Sequence, residues 1–170
     1  KNYSLSDKED LNFFKREKFD LGICTGWQRI IPNSIIETFK NGIFGWHGSG
    51  FEFPNGRGRS PLNWSIRLGL KSIYHNCFQY ASGVDTGKVF DTKVIIINDS
   101  DHIADLQRKA LNHIFESSEN LIKSIQDNNL SLFEQPDYPF ISFPSLNESS
   151  GELFIDKIST RSALQIIRSC

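Results

Sequence analysis

Two adjacent stretches decide the fold: the apolar run IFGWH at residues 43–47 and the glycine-rich loop GSGFEFPNGRGRS at residues 48–60. Short, continuous apolar runs are typical of strands that helices cover on both faces. Ser60 and Pro61 then have the N-cap and first-turn pattern of a helix, which Gly69 closes. A strand, a long loop and a helix in this order predict one unit of an α/β fold with a ligand site in the loop.

A second strand is predicted upstream of this unit. Residues 20–25, DLGICT, are apolar and brief, and a helix follows that Pro32 and Asn33 open and Gly42 closes. Two buried strands separated by a helix are typical of a parallel βαβ unit. We therefore expect a mostly parallel sheet.

Further elements flank these two strands. Ser6 and Glu9 form a capping box, which predicts a first helix that ends near Lys18. Downstream, residues 73–80 and 88–97 predict two strands joined by the turn-forming segment SGVDTG. A long amphipathic helix is predicted after them, because apolar residues recur at helical spacing between residues 101 and 127.

The chain divides into a core and an extension. Residues 1–128 contain the predicted strands and helices, whereas residues 129–170 carry prolines at positions 136, 139 and 144. These prolines predict extended segments, which precede a short final helix starting near Thr160. The fold we expect is an α/β core of the Rossmann type, followed by an extended C-terminal segment.

Composition limits the partners and the compartment. The 170 residues carry 19 basic and 20 acidic side chains, a balance that provides no overall positive field for nucleic acid or an anionic membrane. Three cysteines without metal-ligand spacing indicate a reducing compartment, so we expect a cytoplasmic protein with no metal. No apolar run approaches the ~20 residues that a membrane-spanning helix needs, so we expect no membrane partner. The chain opens at Lys1 and contains no Met, and we expect it to be part of a longer protein.

His47 and Asp85 are the candidate catalytic residues. His47 ends the strand at residues 43–47, and Asp85 lies in the SGVDTG loop between two later strands. If both face the crevice at the edge of the sheet, an imidazole and a carboxylate can share proton transfer near neutral pH. The alternative is that His47 is a buried core histidine and Asp85 a carboxylate that stabilises a turn.

Several motifs in a fixed order carry a resemblance to a known family. GWHGS at residues 45–49, FPNGRGRSPLNWSI at residues 53–66 and GVDTGKVF at residues 83–90 resemble segments of the folate-dependent formyltransferases. That family includes methionyl-tRNA formyltransferases, amino-sugar N-formyltransferases and glycinamide ribonucleotide formyltransferase. The matching positions are His47, Ser49, Pro54, Arg57, Gly58, Pro61, Asp85 and Gly87.

Two more segments extend the resemblance along the chain. TGWQRIIP at residues 25–32 is similar to the family's loop beside the folate pterin, and ELFIDKISTRSALQIIRS at residues 152–169 is similar to the segment that follows the core in the transfer-RNA and sugar members. The family's first βα unit has no counterpart before Lys1. The resemblance implies a Rossmann-like formyltransferase core that lacks this unit.

The resemblance also implies an activity and a co-substrate. It predicts transfer of a formyl group from 10-formyltetrahydrofolate to a primary amine, without a metal. An amino-sugar nucleotide leads as acceptor and methionyl-tRNA comes second, because the balanced charge weighs against a polyanion. A homodimer is also compatible with the sequence.

The resemblance assigns roles to individual residues. His47 would polarise the formyl group, and Asp85 would orient the histidine or a water and assist proton transfer. Main-chain groups of two loops would hydrogen-bond the pterin, and these cofactor-binding positions are Trp27, Gln28, Arg29, Ile30, Ile31, Ser82, Gly83 and Val84. Trp27, together with Trp46 and Trp64, could instead belong to the core.

One departure from the family bears on catalysis. The family has an Asn two residues before the catalytic histidine, and this chain has Gly45, which has no side chain to hydrogen-bond an oxyanion. Losing such a donor costs about a hundredfold or more in rate. Asn63 at the start of the following helix is the candidate substitute, although it could equally be a helix-surface residue. The alternative function is a catalytically degenerate relative that binds folate or a partner.

Overall fold

The computed structural model describes residue 5 and residues 7–27, 29–154 and 156–170. Within these residues the α-helices are α1 (Lys8–Glu17), α2 (Asn33–Ile36), α3 (Pro61–Arg67), α4 (Ile103–Gln126) and α5 (Thr160–Arg168). The strands are β1 (Gly22–Cys24), β2 (Ile43–Ser49), β3 (Arg57–Gly58), β4 (Ser72–Gln79), β5 (Val89–Ile96) and β6 (Ser142–Phe143). A 3₁₀ helix, Glu148–Gly151, lies between β6 and α5.

A four-stranded sheet in the order β1-β2-β4-β5 organises the fold, and β3 and β6 form a separate parallel pair. β1 and β2 are parallel, as expected for a βαβ unit. β2 and β4 are antiparallel, and so are β4 and β5. The α/β class is therefore confirmed, but in the described residues the sheet is mixed, and only its β1–β2 pair has the predicted parallel direction.

Loop length explains the antiparallel pair at the sheet edge. Residues 80–88 connect β4 to β5. A parallel return needs a crossover of about a dozen residues or more, whereas a short loop joins antiparallel neighbours. Strand direction depends on such a connection and not on the apolar pattern of the strand itself.

The start of α1 and the end of α2 differ from the prediction. Asp7 caps α1 by accepting a hydrogen bond from the Asp10 amide, while Ser6 of the predicted capping box lies outside the described residues. α2 ends at Ile36 instead of reaching Gly42. The segment after it turns back, because the amides of Lys40 and Asn41 bond to carbonyls in the chain that leads into β1.

The sheet presents two faces, because successive residues of a strand point to opposite sides. One face packs against α4 and buries Phe44, Ile73, Cys77 and Leu121 among other apolar side chains. We call this the α4 face. The other face carries Gly45, His47, Ser49, Asn76 and Phe78, and we call it the site face.

The C-terminal residues pack on the core. β6 pairs with β3, the Trp64 ring stacks on Phe143 with centroids 5.7 Å apart, and the Trp64 indole donates to the Pro144 carbonyl at 2.9 Å. α5 contacts α3. The extended segment therefore forms part of the wall around the loop that follows β2.

Candidate active site

His47 lies at the end of β2 on the site face and is 8% exposed. Its Nε2 atom is 2.8 Å from the Gly56 carbonyl oxygen. Because a carbonyl only accepts, Nε2 carries a proton and donates this bond. In the neutral tautomer that makes this bond, the lone pair is on Nδ1, the nitrogen that faces Asp85.

Asp85 comes from the loop between β4 and β5 and approaches that nitrogen. Its Oδ2 atom is 3.5 Å from His47 Nδ1. This separation is longer than a hydrogen bond, as is common for catalytic pairs before substrate binds. The structure thus brings together the two residues that the sequence placed 38 positions apart.

Gln135, a residue of the C-terminal extension, hydrogen-bonds to the Asp85 loop. The Gln135 amide donates to the main-chain carbonyls of Asp85 at 2.9 Å and of Gly87 at 2.7 Å. Asp85 itself has a left-handed backbone, with φ of 56°. Since that conformation is unfavourable for a residue with a Cβ, these bonds help to hold the carboxylate in place.

Arg57 connects the same glutamine to the loop after β2. Its Nη2 atom donates to Gln135 Oε1, and the guanidinium lies 4.4 Å from the Phe140 ring centroid. Burial lowers the pKa of Arg57, and the Asp85 carboxylate opposes that shift. Arg57 matched a sequence motif, whereas no sequence signal marked Gln135, because its partners lie 48 to 78 residues upstream.

Aromatic rings line the site face beside the histidine. The His47 ring stacks on Phe53 with centroids 5.3 Å apart, Phe53 meets Phe78 edge to face, and Phe78 contacts Tyr80 at 5.5 Å. The Tyr80 side chain occupies the space beside Gly45. A Cβ atom at Gly45 would lie 2.5 Å from the Tyr80 hydroxyl oxygen and 2.7 Å from Cζ.

Asn63 is placed away from this group. Its amide nitrogen donates to the Ser169 carbonyl at 2.8 Å, so its side chain faces the end of α5. Asn63 also lines a cavity with residues of the C-terminal segment, and neither His47 nor Asp85 lines that cavity. The structure therefore does not bring Asn63 to His47 and Asp85, because α3 turns this position toward the C-terminus.

The predicted pterin loops lie at the ends of β1 and β4. The Arg29 guanidinium lies over the Trp27 ring at 4.6 Å, and Ile30 and Val84 are strongly exposed. The Trp27 indole nitrogen is buried and has no partner in the part of the chain that the structure describes. Ile31 is partly buried, Ser82 is exposed and Gly83 accepts from Thr86; Gln28 lies outside the described residues.

A histidine pair that no sequence pattern indicated lies on the α4 face. His75 Nδ1 is 2.8 Å from His113 Nδ1, and His113 Nε2 is 2.9 Å from Asp91 Oδ2. Both rings are buried. Burial, then the charges of His113 and His47, lower the pKa of His75 to about 3, so its ring is neutral.

The described residues show neither a metal-binding cluster nor a membrane-spanning helix. No three His, Cys, Asp or Glu side chains come together there in an arrangement that could hold a metal ion. None of the described helices combines the length and apolarity needed to cross a membrane.

Comparison with known proteins identifies the family of this fold and site. The model of the formyl transferase family matches residues 1–121, which is more than half of the chain. The chain belongs to the formyl transferase family. This membership confirms the resemblance that the GWHGS, GRGRSP and VDTG motifs indicated.

Curated relatives in this family include methionyl-tRNA formyltransferases. The enzyme of Mycoplasma genitalium is 30% identical over 103 residues, which cover 61% of this chain and 32% of the relative. That of Pelagibacter ubique is 28% identical over 152 residues, which cover 87% of this chain and 47% of the relative. The chain thus spans about a third to a half of the length of these relatives.

Solved structures of formyltransferases have the same fold. A 4-N formyltransferase from Francisella tularensis gives a TM-score of 0.77 at 20% identity, covering 95% of this chain and 65% of that one. Methionyl-tRNA formyltransferase from Clostridium thermocellum gives 0.72 at 21% identity, covering 96% and 68%. The similarity extends over the extended C-terminal segment as well as the sheet.

Proposed function

We propose that the full-length protein transfers a formyl group from 10-formyltetrahydrofolate to a primary amine. The observation that carries this proposal is the approach of Asp85 Oδ2 to within 3.5 Å of His47 Nδ1, at the end of β2 and beside the glycine-rich loop. Formyl transfer needs a group that removes a proton from the attacking amine and groups that stabilise charge on the formyl oxygen. A histidine–carboxylate pair meets the first need.

The geometry suggests how the pair works. His47 Nε2 is held by the Gly56 carbonyl, so Nδ1 is the nitrogen that can accept a proton. Asp85 then faces the imidazolium that forms and stabilises its charge. Gln135 and Arg57 keep the carboxylate at this position.

The loops beside the pair fit a folate co-substrate. In the described residues, no hydrogen bond occupies the main-chain groups of Arg29, Ile30 and Ile31, and the Trp27 indole nitrogen is also unpartnered. A pterin presents several donors and acceptors on a flat ring, which such groups can satisfy. Exposed Ile30 and Val84 offer apolar contact for its faces. Ser82 and Gly83 complete the second loop of this proposed subsite.

An amino-sugar nucleotide is the favoured acceptor, followed by methionyl-tRNA. The formal net charge of −1 provides no overall positive field of the kind that attracts a transfer RNA. A structurally similar N-formyltransferase from Helicobacter canadensis, with a TM-score of 0.71, was solved with folinic acid and dTDP-3-aminofucose. The curated relatives favour methionyl-tRNA, so both acceptors belong in the test.

A catalytically degenerate relative is the second candidate function. Gly45 favours it, because this residue cannot supply a side-chain donor beside His47. Such a protein would bind folate and transfer no formyl group. Measured folate binding together with absent turnover would identify it.

The experiment is a formyl-transfer assay on the full-length protein with 10-formyltetrahydrofolate, using dTDP-amino-sugars and methionyl-tRNA as acceptors. His47→Ala should lower kcat by about 10²- to 10⁴-fold. His102→Asn is the matched control, because His102 is an exposed helix cap and Asn preserves capping. Equal background turnover of wild type and His47→Ala with every acceptor would refute formyl transfer.

A further inference from the structure

The catalytic pair leaves one chemical requirement unmet. Negative charge develops on the formyl oxygen as the amine attacks, and a donor directed at that oxygen is usually the largest contribution to catalysis. His47 Nε2 already donates to the Gly56 carbonyl, and Asn63 donates to the Ser169 carbonyl. Gly45 has no side chain. Another donor on the site face is therefore needed.

Tyr80 fills the position from which such a donor would act. Residues 45 and 47 point to the same face of β2, with Cα atoms about 7 Å apart. The Tyr80 hydroxyl oxygen lies 2.5 Å from the position that a Cβ at Gly45 would take, and the ring atoms Cε1 and Cζ lie within 2.7 Å of the same position. A terminal amide nitrogen of an Asn would also lie about 2.5 Å from its own Cβ. The Tyr80 hydroxyl oxygen therefore lies at the same distance from the Cβ position of residue 45 as the amide nitrogen of an asparagine there would.

The Tyr80 hydroxyl is protonated, and the group beside it, the Cys24 thiol, is only a weak acceptor of its proton. Burial, the adjacent Cys24 thiol and the Asp85 carboxylate all raise the pKa of Tyr80 above its usual value. Burial also raises the pKa of Cys24, so this neighbour is a neutral thiol. A thiol is a poor acceptor, and the phenolic proton remains available to a stronger one.

We propose that Tyr80 is a further catalytic residue, whose hydroxyl donates a hydrogen bond to the formyl oxygen during transfer. This inference rests on the proposed function. The amine lone pair forms the new C–N bond while the carbonyl π electrons move to oxygen, where Tyr80 stabilises them. The electrons then return, the bond from the formyl carbon to N10 breaks, and N10 takes up the proton that the amine gave to His47. The products are a formamide and tetrahydrofolate.

Tyr80→Phe tests the hydroxyl alone. In the full-length protein it should lower kcat about a hundredfold with little change in KM for the formyl donor, since the bond strengthens only as charge develops. Tyr138→Phe is the matched control, because Tyr138 is an exposed tyrosine of the C-terminal extension. It should leave kcat within about twofold of wild type.

A rescue variant separates a lost donor from a structural defect. Tyr80→Ala removes the ring that blocks position 45, and adding Gly45→Asn places an amide there. The double variant should be at least tenfold faster than Tyr80→Ala. Gly45→Asn alone should be slower than wild type, because Tyr80 occupies the space the new side chain needs. If Tyr80→Phe does not fold, as judged by thermal unfolding, the rescue pair decides.

The outcomes distinguish this inference from the proposed function. An active wild type with an unchanged Tyr80→Phe variant refutes the role of Tyr80 and leaves formyl transfer standing. An inactive wild type that gains activity in the double variant also refutes it, because Tyr80 is then no substitute for an amide. If both are inactive with every acceptor, the proposed function fails and this inference fails with it.

Discussion

The two faces of one sheet each carry a histidine near an aspartate, and the contacts of the two groups differ. On the site face, Asp85 stops 3.5 Å from His47 Nδ1. On the α4 face, His75, His113 and Asp91 are joined at 2.8 and 2.9 Å, and both nitrogens of His113 are occupied. A closed network stabilises the fold, whereas an unfilled gap beside a loop leaves room for chemistry. We propose that the same residue types serve two roles, structural on the α4 face and catalytic on the site face.

The largest expected effect is a difference in kcat between variants of Asp85 and Asp91. Asp85→Asn should lower kcat for formyl transfer by about 10²- to 10⁴-fold, because an amide cannot stabilise the imidazolium of His47. Asp91→Asn is its counterpart on the other face and should leave kcat within about threefold, because Asp91 contacts His113 and not the site. Steady-state kinetics of both variants check this. Similar losses for both would contradict a division of roles between the faces.

The next effect concerns the closed network. His113→Ala should lower the free energy of unfolding by about 2–4 kcal/mol, because it leaves a cavity and removes the partner of two buried or half-buried groups. Urea unfolding measures the loss. Its kcat, measured below the new melting temperature, should stay near the wild-type value. A stable His113→Ala protein would mean that the network contributes little to the fold.

Gln135 links the site to the C-terminal extension and should have a smaller effect. Gln135→Ala removes two bonds to the Asp85 loop and one from Arg57, and kcat should fall about tenfold, below the roughly hundredfold cost of a 1 Å misplacement. KM for the amine should change little. Gln107→Ala on the exposed surface of α4 is the control. Unchanged kcat in Gln135→Ala would remove this residue from the positioning of Asp85.

The smallest expected effect is the change in the free energy of unfolding per pH unit. The folded pKa of His75 is lowered from 6.5 to about 3, so unfolding takes up a proton between these values, and stability falls as pH decreases through that window. One proton gives a slope of up to about 1.4 kcal/mol per pH unit below pH 5.5. His113 contacts this ring, and the charge of His47, on the other face of the sheet, also lowers its pKa. Urea unfolding at several pH values should give a shallower slope for His75→Asn. Equal slopes would contradict a neutral buried His75.

Local patterns predicted most of the elements. Five predicted elements depend on neighbouring residues alone, and all five are present in the structure. They are the apolar strands β2, β4 and β5, the periodic helix α4, and α3 with its Ser60–Pro61 start. The direction of β4 was not predictable from its composition. α2 is shorter than predicted, because bonds to the chain before β1 replaced helical ones.

The site was only partly predictable for a related reason. His47 and Asp85 stand in recognisable motifs, and the structure brings them together. Tyr80 and Gln135 do not, because their importance depends on sheet register and on a segment that folds back over about fifty residues. Asn63 was assigned a catalytic role because it lies close to His47 in the sequence. In the structure α3 directs its side chain toward Ser169 instead.

A structure of the full-length protein with a non-reactive folate analogue and an amine acceptor tests the central claim most directly. We expect the pterin to contact the loop at residues 27–31 and the acceptor nitrogen to lie within hydrogen-bond reach of His47 Nδ1, on the face that carries Asp85. A folate bound elsewhere, with the gap between His47 and Asp85 closed by a direct hydrogen bond, would contradict it.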